Sequence, residues 1–144
     1  MTMNRMLIGL IAVGVLAFSL PLPVFAHHGR GDAYDTKNPL TLKATVTQLL
    51  YVNPHVQLYF DTKDEKGKVT HWNGEMTDIG QLLRAGWSKK RFTEALKPGT
   101  PVTVTIQKSK APLPPGQGVA VVMKIEDEKG EVVGLVRRGA GGQE

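Results

Sequence analysis

The chain has 144 residues, with 18 Lys and Arg against 13 Asp and Glu, four His, no Cys and 41% apolar residues, the composition of one small globular domain. The absence of cysteine excludes disulfide scaffolds, thiolate zinc sites, thiol catalysis and a lipid-modified N-terminal Cys. Setting aside Arg5, the only charge in the first 26 positions, leaves 17 basic residues against 13 acidic ones, an excess too small for a phosphate-tracking surface, so no nucleic-acid partner is expected.

Residues 1–26 read as an export signal. Arg5 supplies the positive start, Leu7 to Phe18 the apolar core, and Pro21 and Pro23 break the helix ahead of Val24-Phe25-Ala26, a small-residue end that suits a signal peptidase. The alternative is an uncleaved anchor, since Leu7 to Ala26 nearly spans a bilayer, but the prolines and the small-residue end favour cleavage. The mature chain then begins at His27-His28, is periplasmic or secreted, and has no membrane span. Residues 27–40 read as an extended arm, with Gly, Asp, Thr and Asn around a lone Tyr34.

From Leu42 the pattern has period two, with Leu42, Ala44 and Val46 on one face and Thr41, Lys43, Thr45 and Thr47 on the other. The slip at Gln48-Leu49-Leu50 marks a bulge that bends a long first strand. Asn53-Pro54 interrupts it. His55 to Phe60 resumes the alternation, placing Val56, Leu58 and Phe60 inside and His55, Gln57 and Tyr59 outside. Asp61 to Lys68 reads as a charged turn, and Val69 to Met76 as a third strand with Trp72 and Met76 opposite His71, Asn73 and Glu75. Thr77 is the expected cap of a short helix carrying Ile79, Leu82 and Leu83 and stopping at Gly86; Ser88 caps a second. Val102, Val104 and Ile106 mark strand four, Lys108 to Gly118 a loop, Val119 to Ile125 strand five, and Glu131 to Val136 a possible sixth. The tail 137–144 is Gly-rich and expected to be flexible.

Three strands, a helical link and two or three more strands make an all-β domain over residues 41–136. The expected fold is a small five- or six-stranded antiparallel barrel in OB-like order with a short helical insert; an open sandwich would give a similar string. Val46, Val56, Leu58, Phe60, Trp72, Leu82, Val104 and Val121 are its expected core.

These residues also resemble a family. Ala26-His27-His28 at the leader end, Tyr34-Asp35, Asn53-Pro54-His55, Trp72 with Glu75 three on, Gly86-Trp87, Leu96-Lys97-Pro98-Gly99 and Gly116-x-Gly118 are similar in order to a set of small exported bacterial proteins classed as a domain of unknown function. The resemblance covers the mature chain and implies an all-β exported domain, with no established activity. Asn73-Gly74 stands where that pattern carries an apolar residue ahead of the Glu.

The chemistry rests on four histidines. A free terminus at His27 pairs its α-amine with its own ring Nδ1, a chelate preorganised on one residue, and nitrogen ligands favour copper(II) among divalent ions. His28 offers a second mode through the intervening amide. The alternative for both is a polar flank of the cleavage site. His55 and His71 share an outward face with Glu75. With the turn centred near Asp64 to Lys66, His55 falls opposite Glu75 and Tyr59 opposite His71. The outer surface of strands two and three is the usual OB ligand platform. His27, His28, His55, His71 and Glu75 are therefore the candidate metal ligands, Gln57, Tyr59 and Asn73 the candidate ligand contacts, and Asn53 the residue expected to orient His55. The alternative is a solvated sheet face, polar because alternation requires it.

Other chemistries fare worse. Asp61, Asp64, Glu65, Asp127 and Glu128 lack calcium-loop spacing, no Ser has a nucleophile-elbow context, and Trp72 and Trp87 suit packing better than sugar stacking. A copper oxidase or monooxygenase would need an exposed aromatic platform, and three Tyr do not make one. The expectation is a periplasmic or secreted copper-binding barrel, with a binding role favoured over an enzymatic one and catalytic activity left open; the alternative is a metal-free binding or protein-interaction module using the face of strands two and three.

Overall fold

The computed structural model describes residues 33–134. Its elements are β1 (Leu40–Leu50), β2 (Gln57–Lys63), β3 (Val69–Glu75), α1 (Ile79–Arg84), α2 (Lys89–Ala95), β4 (Pro101–Lys108) and β5 (Gln117–Glu126). The strands close a barrel in the order β1-β2-β3-β5-β4, with β4 returning to pair with β1. This is the expected OB-like order. Every neighbouring pair is antiparallel except β3 with β5, which is parallel, so the barrel is mixed and not wholly antiparallel. The helices occupy the β3–β4 crossover, and inserting β5 between β3 and β4 makes it run alongside β3 in the same direction.

Alternation drives this closure. Val46, Leu58, Phe60, Val104, Ile106, Val122 and Ile125 point inward and are buried with Leu82 and Phe92 of the two helices. The bulge expected in β1 is present at Thr47, where Val46 pairs with Phe60 and Gln48 already with Tyr59. Two expected core residues are placed differently. Trp72 is only partly buried against the core, stacked on Phe60 at 6.0 Å. Val121 is 1% exposed but lies outside the core cluster: it pairs with Glu75 and Gln107, on the outward-facing row of β5.

Two local expectations are also corrected. The cap of α1 is Asp78, whose carboxylate accepts from Gln81 N–H at 2.9 Å, while Thr77 is buried and its carbonyl accepts from Val56 N–H. Ser88 does cap α2, and Gly86, at φ +84°, ends α1 in the left-handed region as expected. The sixth strand is reduced to one bridge, Glu126 with Val132, beside Val133, which packs on the core; residues 135 and 136 of that expected strand lie outside the described residues.

The arm is anchored before β1 begins. Tyr34 bridges Ser109, Asp35 N–H donates to Lys108 O, and Lys110 N–H donates to Ala33 O. Among the described residues no helix is long and apolar enough to cross a membrane.

Candidate functional site

The hairpin of β2 and β3 carries the expected face, in a register set by its turn. Asp64 accepts from the N–H groups of Lys66 and Lys68 through its carboxylate, and Gly67 takes φ +79° with its N–H on Asp64 O. This centres the turn on Lys66, one residue later than expected, and shifts every partner by two. Gln57 pairs with Glu75, Tyr59 with Asn73 and Asp61 with His71, correcting the expected pairing of Tyr59 with His71. An even shift preserves the face.

His55 precedes β2 in the loop that follows the cis Asn53–Pro54 peptide, so it has no ladder position. It nevertheless reaches the residue expected opposite it: His55 Nδ1 lies 2.9 Å from Glu75 Oε1, with both side chains about one-third exposed or less. Glu75 is the carboxylate beside this ring nitrogen. His71 makes a similar contact, with Nδ1 2.7 Å from Asp61 Oδ1, but its side chain is 70% exposed. His71 and Asp61 are hydrogen-bonded, the imidazole Nδ1–H donating to the carboxylate, whereas His55 and Glu75 are in ion-pair contact.

Asp61 is the residue that sequence reasoning missed. It reads as part of the charged turn, yet the alternation through Gln57 and Tyr59 continues two residues further and places Asp61 on the same outward face. The two pairs are anchored four residues apart on β3, roughly 13 Å at a strand's rise per residue, so His55 and His71 do not converge on one ion. Between them, Asn73 Oδ1 is inaccessible and has no hydrogen-bond partner. Gln57 and Tyr59 flank it, half-buried. His27 and His28 lie outside the described residues. Among the described residues no three His, Asp or Glu side chains are grouped to hold a metal ion.

The inward side of the hairpin explains two glycines. A Cβ at Gly74 would stand 2.5 Å from Val122 Cγ2, which is why no apolar side chain fits ahead of Glu75. A Cβ at Gly118 would lie 2.3 Å from the Trp72 ring. Trp72 Nε1–H donates to Thr62 Oγ1 at 3.0 Å. Trp87 packs edge-on against Phe92 beneath Arg91, whose guanidinium sits 4.2 Å from the Trp87 ring centroid. Both tryptophans therefore serve packing.

Over residues 15–117 the chain matches a family of unknown function (DUF6152), and it belongs to that family. The chain matches neither a curated protein nor a solved structure.

Proposed function

We propose that this member of the family is an exported copper(II)-binding protein, in which the α-amine and ring of His27, freed by removal of residues 1–26, share an ion with His55. The observation that supports this reading is the His55–Glu75 contact. It sets Nδ1 beside a carboxylate, the neighbour that metal-ligating histidines ordinarily have, and so favours Nε2 as the ligating nitrogen. In this reading the barrel contributes one imidazole, the terminus supplies a two-nitrogen chelate, and His28 is the available fourth donor. His71, about 13 Å along β3, does not join that set. Removing the leader exposes the amine, so a metal-binding terminus arises only after export.

The reach is sufficient. With Ala33 tied to Lys110, six Cα-to-Cα steps separate it from His27, a span of up to about 20 Å. From the arm's position beside β4, the walk across β5 to β3 covers three strand spacings, about 14 Å.

The test begins with intact mass of exported material, expected to start at His27, followed by copper competition titrations. An extra residue ahead of His27 and the substitution His55→Ala are each expected to weaken binding about 10-fold or more, and His71→Ala to matter less. Affinity no better than that of a peptide copying residues 27–32, and untouched by His55→Ala, would refute the folded site. The metal-free module on the β2–β3 face would then be the better reading.

A further inference from the structure

We infer that the elbow between α1 and α2 is a docking surface for an anionic lipid bilayer. From Ile79 to Thr93 the chain holds four cations, Arg84, Lys89, Lys90 and Arg91, and no acidic residue. Asp78 and Glu94 stand just outside that stretch, and the Asp78 carboxylate is engaged in capping α1. All four cations are exposed, and among the described residues none of them forms an ion pair. Lys89, Lys90 and Arg91 fill the first turn of α2, the positive end of a helix, where they repel the backbone dipole as well as one another. A placement that breaks a local stability rule in this way is expected where a partner supplies the opposite charge.

Apolar exposure at the same elbow supplies the second argument. Gly86 N–H donates to Leu83 O, Trp87 N–H to Leu82 O, and Arg91 Nη1 to Gly86 O, while the Arg91 guanidinium lies over the Trp87 ring. Side chains in a helix's first turn lean toward its N-terminus, so Lys89 and Lys90 lean toward the elbow that these bonds tie together. Leu83, 54% exposed, stands there beside Arg84. Val52, 47% exposed, follows Tyr51, whose hydroxyl donates to Trp87 O at 3.2 Å. Among the described residues these are the two most exposed large apolar side chains, and both stand next to a residue bonded to the Trp87 backbone. A soluble polyanion or an acidic protein surface would pair with the cations and leave Leu83 and Val52 in water. A bilayer surface takes both: its phosphate groups meet Lys and Arg, and the apolar side chains enter the boundary between headgroups and acyl chains.

The experiment uses the chain from His27 onward, which contains the whole closed barrel and its core and leaves out the apolar run of residues 1–26, which would bind lipid by itself. In co-sedimentation this chain is expected to bind vesicles of phosphatidylcholine mixed with phosphatidylglycerol, not to bind phosphatidylcholine alone, and to be released by salt as the surface charge is screened. Lys89→Gln combined with Lys90→Gln should weaken binding about 5-fold for each charge removed, roughly 25-fold together. Leu83→Ser should weaken it several-fold at unchanged charge. Lys66→Gln combined with Lys68→Gln removes the same charge at the β2–β3 turn, the end of the hairpin away from α1, and should leave binding within about 2-fold of wild type. A wild-type near-ultraviolet circular dichroism spectrum shows that each variant keeps its fold. Absence of binding to the mixed vesicles, equal binding to both kinds of vesicle, equal losses from the two lysine pairs, or an unchanged Leu83→Ser overturns the inference. Capture by heparin without capture by the mixed vesicles also overturns it, and assigns the elbow to a soluble polyanion.

Discussion

Gly118→Ala adds a single methyl group at the tightest inward contact behind the candidate face. Its Cβ would meet Trp72 Cε3 at 2.3 Å, Cδ2 at 2.4 Å and Cζ3 at 2.7 Å, where carbon atoms rest at about 3.5–4.0 Å. Relief needs a displacement of more than about 1 Å. The ring cannot yield freely, because Phe60 is stacked on it with planes 6° apart and Thr62 accepts its Nε1–H. Overpacking of this kind costs about 1–3 kcal/mol, and loss of the indole hydrogen bond adds about 1 kcal/mol, for an expected destabilisation of roughly 2–4 kcal/mol. That is a large share of the ~5–15 kcal/mol a domain commands. Urea denaturation gives the loss directly, and near-ultraviolet circular dichroism reports Trp72, one of only two tryptophans. Combining Gly118→Ala with Trp72→Leu, which vacates the ring's volume, should cost less than the two single changes added together. A loss below about 0.5 kcal/mol with an unchanged aromatic spectrum would refute the stacking of Trp72 over Gly118.

Two further outcomes are expected. Phe60→Ala removes a fully buried ring and should cost about 3–5 kcal/mol in urea denaturation; a loss below about 1 kcal/mol would mean that β2 faces the other way, with His55, Gln57 and Tyr59 turned inward. Asp78 is held below the usual carboxylate range chiefly by the Gln81 N–H, so its contribution to stability is complete above its unfolded pKa of about 3.9 and is lost as pH falls through the lower folded value. The gap in Tm between wild type and Asp78→Ala should therefore be constant above about pH 5 and close on acidification; equal gaps at about pH 2.5 and pH 6 would refute the capping role.

The barrel was legible because alternation is a physical requirement of a half-buried strand. Leu42 to Val46, Val56 to Phe60 and Val102 to Ile106 announce both their elements and their inward faces. Strand direction was not legible, since nothing local to β5 says whether its neighbour is β3 or where the chain returns. Val121 shows the limit of pattern reading. In a run such as Val119-Ala120-Val121-Val122 both rows are apolar, and a bulge near Met123 rather than residue type puts Ala120, Val122 and Ile125 inside. The cap moved from Thr77 to Asp78 for a comparable reason: both residue types cap helices, and burial of Thr77 leaves only Asp78 free to do it.

At the candidate site, the face was legible and the pairing was not. Alternation put His55, His71 and Glu75 on one side, but the partner of each depended on a turn one residue off centre, and Asp61 was concealed by its lysine-rich neighbours. The contact that matters survived the shift because His55 is off the ladder. A strand residue moved by two positions would face a new partner, whereas a loop residue is free to reach back to Glu75. In the proposed copper reading His55 would suit the terminal chelate better than His71, because His71 stands on the ladder with its side chain in solvent whereas His55 stands off the ladder with its side chain partly shielded. In the same reading, anchoring of the arm at Ala33–Asp35 would shorten the link between His27 and the barrel and so raise the effective concentration of the terminal amine at His55.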